Sequence, residues 1–190
     1  MNFQGRRKTI LFILDDFHIG GLASFVHTYV QYSIARGYKT IVIGEYGDSL
    51  KDKQFFKGST VIVLPVSPWT ERHPGLLSYF AYRLHFTWKF VRAFHAIYRS
   101  KRIDAIHFNL TWGSLSILVF CPEVYQIPRV LTFYGDFALE HKSRVGPVSG
   151  IDKIKTDIKV AGLTFVQRLT LVFCSKIIAF SSYSQEHIHK

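Results

Sequence analysis

The stretch TILFILDDFHIGG, residues 9–21, decides the fold of this chain. Its apolar, β-prone beginning predicts a buried strand, and Gly20-Gly21 predicts a tight turn into a helix. That helix is expected from about Gly21 to Arg36 and to end at Gly37, because glycine readily adopts the left-handed conformation at a helix end. A buried strand followed directly by a helix is typical of an α/β protein.

Five further short apolar runs follow, with helical patterns between them. Such alternation predicts βαβ units and a parallel sheet with helices on both faces. We expect a doubly wound, Rossmann-like α/β fold of about six strands in the order 3-2-1-4-5-6, with a ligand crevice at the carboxyl ends of the first and fourth strands. The predicted strands are Thr9–Leu14, Thr40–Gly44, Thr60–Leu64, Asp104–His107, Arg129–Thr132 and Lys176–Phe180.

Length, charge and cysteine content narrow the class of protein. The 190 residues are expected to form a single domain, residues 1–190, and the formal net charge of +11 favours anionic partners such as nucleic acid, anionic lipid or phosphorylated substrates. No apolar run reaches the roughly 18 uncharged residues of a membrane-spanning helix, and none forms a secretory signal. Cys121 and Cys174 lie in apolar stretches without CxxC spacing, which predicts buried thiols and a cytoplasmic location.

The glycine pair after the first strand has two readings. Glycines there let backbone N–H groups at the start of a helix approach an anion, so a phosphate or diphosphate is the expected ligand. The other reading is that Gly20 and Gly21 only form a tight turn. The spacing is neither GxGxxG nor GxxxxGK[ST], which argues against a nicotinamide dehydrogenase and a P-loop enzyme.

Four segments form a pattern along the chain. They are an apolar strand with a Gly-Gly loop and helix (Ile10–Val26), a strand ending in His (Asp104–His107), the run Ile-Pro-Arg-Val-Leu-Thr-Phe-Tyr-Gly-Asp (Ile127–Asp136), and a strand followed by serine (Lys176–Ser181). In order and spacing this set resembles the N-terminal half of group-1 glycosyltransferases, the large retaining family with the GT-B fold. The resemblance implies an acceptor-side Rossmann-like domain whose C-terminal, nucleotide-sugar-binding partner domain is absent from these 190 residues.

The resemblance also implies a donor site shared between the two domains. Gly20 and Gly21 would lie against the diphosphate of a nucleotide sugar, and Ser181 would contact the ligand or cap the next turn. The family's donor-gripping Glu-x7-Glu motif belongs to the C-terminal domain and does not follow Ser181 in this chain. The chain alone is therefore expected not to catalyse transfer, and neither a metal nor any cofactor beside the nucleotide-sugar substrate is expected.

Three residues are candidates for direct contact with the reacting sugar. Tyr134 occupies the position where the family has histidine, and it would hydrogen-bond the donor sugar without carrying a positive charge. Asp136 would accept hydrogen bonds from sugar hydroxyls or shape the Gly-Asp turn. His107, at the predicted end of the fourth strand, would touch a ligand at the crevice or pack under a loop.

A long aromatic helix is predicted over Leu76–Arg102, with two apolar faces. One face, which includes Leu84, Trp88 and Val91, is predicted to pack on the sheet. The opposite face combines rings with cations and predicts contact with an anionic membrane surface; packing beneath loops or against the other domain is the alternative. Nucleic acid is not expected, because no RNP-type strand or helix-turn-helix accompanies the rings. The membrane-binding candidates are Tyr79, Tyr82, Arg83, Phe86, Lys89 and Phe90.

Two classes of function follow from these features. The first is the acceptor-binding domain of a glycosyltransferase that moves a sugar from a nucleotide-sugar donor to a saccharide or lipid-linked acceptor, acting in the cytoplasm or on the cytoplasmic face of a membrane. The second is a non-catalytic α/β module that holds a phosphorylated ligand or a membrane through the Gly20-Gly21 turn and the basic surface.

Overall fold

The computed structural model describes residues 6–16, 21–45, 54–65, 76–109, 112–133 and 149–179. Within these ranges the strands are β1 (Thr9–Asp16), β2 (Lys39–Glu45), β3 (Thr60–Leu64), β4 (Ala105–Asn109), β5 (Arg129–Phe133) and β6 (Lys176–Ala179). The helices are α1 (Gly21–Ala35), α2 (Leu76–Ser100), α3 (Trp112–Phe120) and α4 (Gly150–Phe173), with a short 3₁₀ turn at Pro122–Gln126.

The six strands are parallel and are hydrogen-bonded in the order β3-β2-β1-β4-β5-β6. The predicted doubly wound sheet and its strand order are therefore confirmed. The order turns back at β1, whose two neighbours are β2 and β4, and this pair of strands defines the switch point. β4 extends two residues beyond its predicted end at His107, because Phe108 pairs with Ile13 of β1 and Asn109 pairs with Thr132 of β5.

Two hydrophobic clusters cover the two faces of the sheet. Leu11 and Ile13 of β1 belong to the cluster that contains α2 and α3, whereas Phe12 and Leu14 belong to the cluster that contains α1. Successive side chains of a strand point to opposite faces, so a central strand with helices on both sides must be apolar at every position. This is why the continuous run in β1 decided the fold.

The end of α1 has the geometry that its sequence predicts. Gly37 has a φ of 83°, which is in the left-handed region. The Gly37 amide donates to the carbonyl of Ile34 and the Tyr38 amide donates to that of Ser33, at 2.8 and 3.0 Å. These two bonds form a Schellman motif, and they turn the chain directly into β2.

Candidate functional site

The carboxyl edge of the sheet between β1 and β4 is the candidate site. Helix α1 follows β1 and packs on one face, while α3 follows β4 and packs on the other. Because the strands are parallel, both helices begin at the carboxyl edge, on the two sides of the switch point. A helix N-terminus carries a partial positive charge and free N–H groups, so this edge suits an anionic ligand.

Asn109 lies buried at this edge of the sheet, and it was not among the site residues predicted from the sequence. It is the last residue of β4, it is fully buried, and its amide nitrogen donates to the carbonyl oxygen of Ile13 at 2.7 Å. At the same place the β1–β2 register shifts, since Ile13 pairs with Ile43 but Asp16 pairs with Glu45. The side-chain bond thus fixes β1 to β4 where β1 leaves regular pairing. A polar residue at the carboxyl end of an apolar run was the available signal.

His107 lies inside the sheet rather than at its edge. Its ring packs against the rings of Phe12 and Tyr29, with centroids 5.1 Å away in each case, and its Nε2 atom is 2.5 Å from the hydroxyl of Thr132. Only 6% of the residue is exposed, and this burial lowers the pKa of His107 to about 4. His107 is therefore neutral at physiological pH and joins β4, β5 and α1. A direct role in catalysis stays a prediction.

The other predicted contact residues have the following positions. Gly21 is the first residue of α1, where the helix was predicted to begin, and its contact with an anion stays a prediction. Gly20, Tyr134, Asp136 and Ser181 lie outside the described residues, so their roles stay predictions.

The prediction that Tyr82, Phe86, Lys89 and Phe90 form an exposed, membrane-binding face of α2 is wrong, because this face points into the domain. Phe86 and Phe90 are buried in the core cluster, and Tyr82 packs against it. Lys89 is also buried and pairs with Glu45, which in addition accepts a hydrogen bond from the hydroxyl of Tyr82 at 3.3 Å. The side chain of Tyr79 lies outside the described residues. The physical reason is the carboxylate at the end of β2, because a buried charge requires a partner and α2 turns Lys89 inward to meet it.

Arg83, the remaining predicted membrane residue, lies near the start of α3. Its guanidinium stacks over the ring of Trp112 at 4.9 Å, and Trp112 is the first residue of α3. The indole N–H of Trp112 donates to the hydroxyl of Thr87 at 3.1 Å, which joins α2 to α3 at this end. The arrangement adds a fixed positive charge to the carboxyl edge of the sheet, close to the N-terminus of α3.

The outward face of α2 presents two residues that were predicted for the core, Leu84 and Trp88, whereas Val91 packs against the core cluster as predicted. Leu84 is 71% exposed and Trp88 is 54% exposed. The guanidinium of Arg92 lies 5.1 Å from the Trp88 ring, and the His85 ring stacks against the same ring. A groove of about 380 Å³ continues from there along the helix, lined by Trp88, Val91, Arg92, His95, Ala96 and Arg99.

The two cysteines are free thiols with raised pKa values. Cys121 is fully buried, as predicted, whereas Cys174 is only partly buried. Burial raises the pKa of each thiol to about 12, with Glu123 adding to the effect at Cys121. Neither forms a thiolate near neutral pH. Across the described residues, no group of three His, Cys, Asp or Glu side chains could hold a metal ion, and none of the described helices is long and apolar enough to span a bilayer.

Comparison with known proteins completes the description of the site. A family model described as Glycosyltransferase Family 4 matches residues 19–190. No curated protein matches the chain in sequence.

Solved structures share the fold at low sequence identity. Phytolacca americana UGT2, complexed with UDP-2fluoro-glucose and pterostilbene, has a TM-score of 0.60 and 10% identity over 92% of this chain and 48% of its own. A UGT transferase from Siraitia grosvenorii in complex with UDP has a TM-score of 0.58 and 14% identity, with 90% and 44% covered. Anabaena HepE in complex with UDP and glucose has a TM-score of 0.50 and 20% sequence identity, over 96% of this chain and 41% of its own. The chain thus spans less than half the length of each.

Proposed function

Because the chain belongs to Glycosyltransferase Family 4, whose model matches residues 19–190, we propose that it is the acceptor-side half of a two-domain glycosyltransferase. The whole enzyme would transfer a sugar, with retention of configuration, from a nucleotide-sugar donor to a saccharide or lipid-linked acceptor. The proposed reaction uses the nucleotide sugar as substrate and needs no further cofactor from this half. By itself this half would not catalyse transfer, because the donor is held mainly by the second domain.

The observation that carries the proposal is that two helices, α1 and α3, begin at the β1–β4 switch point. The N-termini of α1 and α3 begin at the same edge, and the Arg83 guanidinium over Trp112 adds a positive charge next to the start of α3. This combination supports binding of a diphosphate, the anionic part of a nucleotide sugar. The basic net charge of +11 acts in the same direction.

The solved structures that share this fold contain similar ligands. The three structures described above were obtained with UDP, or with a UDP-sugar, bound. Since this chain is similar to less than half of each, we assign it only a supporting contact to the donor through Gly21 and the start of α1. Gly20, Tyr134, Asp136 and Ser181 remain proposed ligand contacts from the sequence pattern.

A charge change at Gly21 tests the diphosphate site without weakening the helix. An aspartate at the first turn of a helix interacts favourably with the helix dipole, yet it would repel a bound diphosphate. We expect UDP and inorganic diphosphate to shift the backbone amide NMR signals of Gly21 and its neighbours in the native chain, and not in Gly21→Asp. Gly21→Asn is the matched control of similar size, and it should retain binding.

Two results would contradict this part of the proposal. One is the absence of any amide shift near Gly21 in the native chain at millimolar UDP. The other is equal binding by Gly21→Asp and Gly21→Asn, since a site built on the helix N-terminus must distinguish a carboxylate from an amide. An uncharged nucleoside, tested in parallel, separates binding of the diphosphate from binding of the base.

We also propose that the outward face of α2 binds the cytoplasmic face of an anionic membrane. It is favoured by the exposed Leu84 and Trp88 beside the guanidinium of Arg92. Apolar and aromatic side chains enter the headgroup boundary while arginine attracts anionic lipid. The alternative function is that of a non-catalytic module that binds a membrane or a phosphorylated ligand. In that case the same face of α2 would bind the membrane.

Vesicle sedimentation tests the membrane proposal. The native chain should bind phosphatidylglycerol vesicles more strongly than phosphatidylcholine vesicles, and Leu84→Ser/Trp88→Ser should bind at least about tenfold more weakly. Tyr32→Ser is the matched control, because Tyr32 is another exposed ring with an arginine, Arg36, 4.9 Å from its centroid. Equal loss of binding in the control and the double variant would refute the assignment to α2.

A further inference from the structure

Helix α4 exposes an apolar stripe along almost its whole length. Ile154, Ile158, Phe165 and Val172 are 61%, 69%, 64% and 77% exposed, and Ala161 lies exposed between them. We call these five residues the α4 stripe. An exposed apolar stripe of this length marks a surface that another molecule or domain covers.

The packing of the opposite face fixes the outward direction of the stripe. Gln167 and Thr170 are buried on the inner side of α4, and the Thr170 hydroxyl donates to the carbonyl of Val166 within the helix. At the C-terminal end the guanidinium of Arg129 donates to the carbonyl of Phe173 at 2.9 Å. Leu171 and Phe173, near the end of α4, also pack against the core cluster. The α4 stripe therefore lies on the side of the helix that faces away from the domain.

The spacing of the α4 stripe is that of a helix-pairing seam. Steps of 4, 3 and 4 residues lead from Ile154 through Ile158 and Ala161 to Phe165, and a further 3 and 4 residues lead to Arg168 and Val172. Apolar side chains that alternate at 3 and 4 residues keep one face of a helix against a second helix. The seam spans about 27 Å at 1.5 Å per residue.

The α4 stripe is also complementary to itself when the α4 helices of two copies run antiparallel. A two-fold axis through residue 163 sets Ile154 opposite Val172 of a second copy, because each lies nine residues from the axis. It sets the small Ala161 opposite the large Phe165, so that the ring fills the space that the alanine leaves. Self-complementarity of this kind is what a two-fold symmetric interface requires.

The third pair of positions across the two-fold axis, Ile158 and Arg168, is matched in charge as well as in shape. The same axis brings Arg168 opposite Ile158 of the second copy and beside its neighbour Asp157; both charged side chains are exposed in the single chain. The apolar stem of an arginine can cover isoleucine while the guanidinium reaches the carboxylate. A parallel, in-register pair would instead set Asp157 against Asp157 and Arg168 against Arg168, which is repulsive.

We propose that two copies of this chain associate through the α4 stripe as an antiparallel helix pair, with Asp157 of each copy next to Arg168 of the other. The proposal is independent of the glycosyl-transfer function, because the seam lies on α4 and uses no residue of the β1–β4 edge.

Sedimentation velocity over about 1 to 200 µM tests the association directly. The native chain should change from a monomer towards a dimer over this range. Phe165→Ser removes two rings from a symmetric interface and should raise the dimer dissociation constant at least about 100-fold. Tyr32→Ser removes an exposed ring on α1, 57% exposed against 64% for Phe165; it is the matched control and should leave the dissociation constant unchanged.

A charge exchange provides a test that depends on orientation. Asp157→Arg and Arg168→Asp should each weaken the dimer about tenfold, and the double variant should restore it. Within one helix these positions are 11 residues, or about 16 Å, apart, so rescue can come only from contact between two copies. A monomer at every concentration, or a dimer that the Phe165 and charge variants leave intact, would overturn the proposal. Circular dichroism of each variant shows that the fold is kept.

Discussion

Acidification is predicted to destabilise the protein through one buried residue, His107. The ring is 6% exposed, lies between Phe12 and Tyr29, and has its pKa lowered by burial from 6.5 to about 4. In the unfolded chain the same imidazole takes up a proton near its ordinary pKa. Between these two values the unfolded state therefore binds one proton more than the folded state.

The sign and size of the effect follow from this difference. The free energy of unfolding falls by about 1.4 kcal/mol for each pH unit below 6.5, and the loss levels off near pH 4, where the folded state also takes up the proton. The stabilisation by the neutral ring is fully present above pH 6.5. Going from about pH 7 to about pH 4.5 should thus remove about 2.5 kcal/mol through His107 alone.

Urea unfolding followed by tryptophan fluorescence measures the effect. Other groups also titrate in this range, so the informative quantity is the difference between the native chain and His107→Gln. The amide is of similar size, can hydrogen-bond Thr132 and does not titrate. The variant should lose about 2.5 kcal/mol less than the native chain between the two pH values. If both lose the same amount within about 0.5 kcal/mol, the argument from burial is refuted.

Three further experiments test other parts of the structure. Lys89→Met leaves Glu45 in the core without its ammonium partner and should cost about 3–5 kcal/mol in chemical denaturation, whereas Glu45→Leu/Lys89→Met should recover at least half of that loss. Gly37→Ala forces a φ of 83° on a residue with a side chain and should cost about 1 kcal/mol, while Gly162→Ala, inside α4 with open space around it, should gain about 0.5–1 kcal/mol in the same thermal melts. Cys121, whose pKa burial raises to about 12, should react with iodoacetamide at neutral pH at least about 100-fold more slowly in the folded than in the urea-unfolded chain.

The central strands were predictable because helices cover both of their faces. β1 and β2 are covered on both sides, so their sequences are continuous apolar runs. The strand order followed from the handedness of the crossovers. The ends were less certain, since the polar Asn109 still belongs to β4 through a bond to Ile13 that periodicity does not contain.

The helix faces were not predictable from period alone. Both faces of α2 are aromatic, so apolar spacing allows two rotations of the helix, and the pairing of Lys89 with Glu45 selects the one that buries Phe86 and Phe90. The deciding residue is on β2, 44 positions earlier in the chain. In α4, Ile154, Ile158 and Phe165 are exposed, although apolar residues at this spacing commonly form the buried face of a helix.

The central position of β1 has a consequence for biosynthesis. The amide of Thr9 bonds to the carboxylate of Asp104, 95 residues later, and this contact stands at the start of the β1–β4 pairing. At about 5–20 residues per second, the ribosome needs roughly 5–20 s to make the intervening chain. During that time β2 can cover one edge of β1, while the other edge of its Leu11–Leu14 run has no strand to pair with. Nascent chains halted before β4 should therefore aggregate or bind chaperones, whereas chains halted after β4 should not.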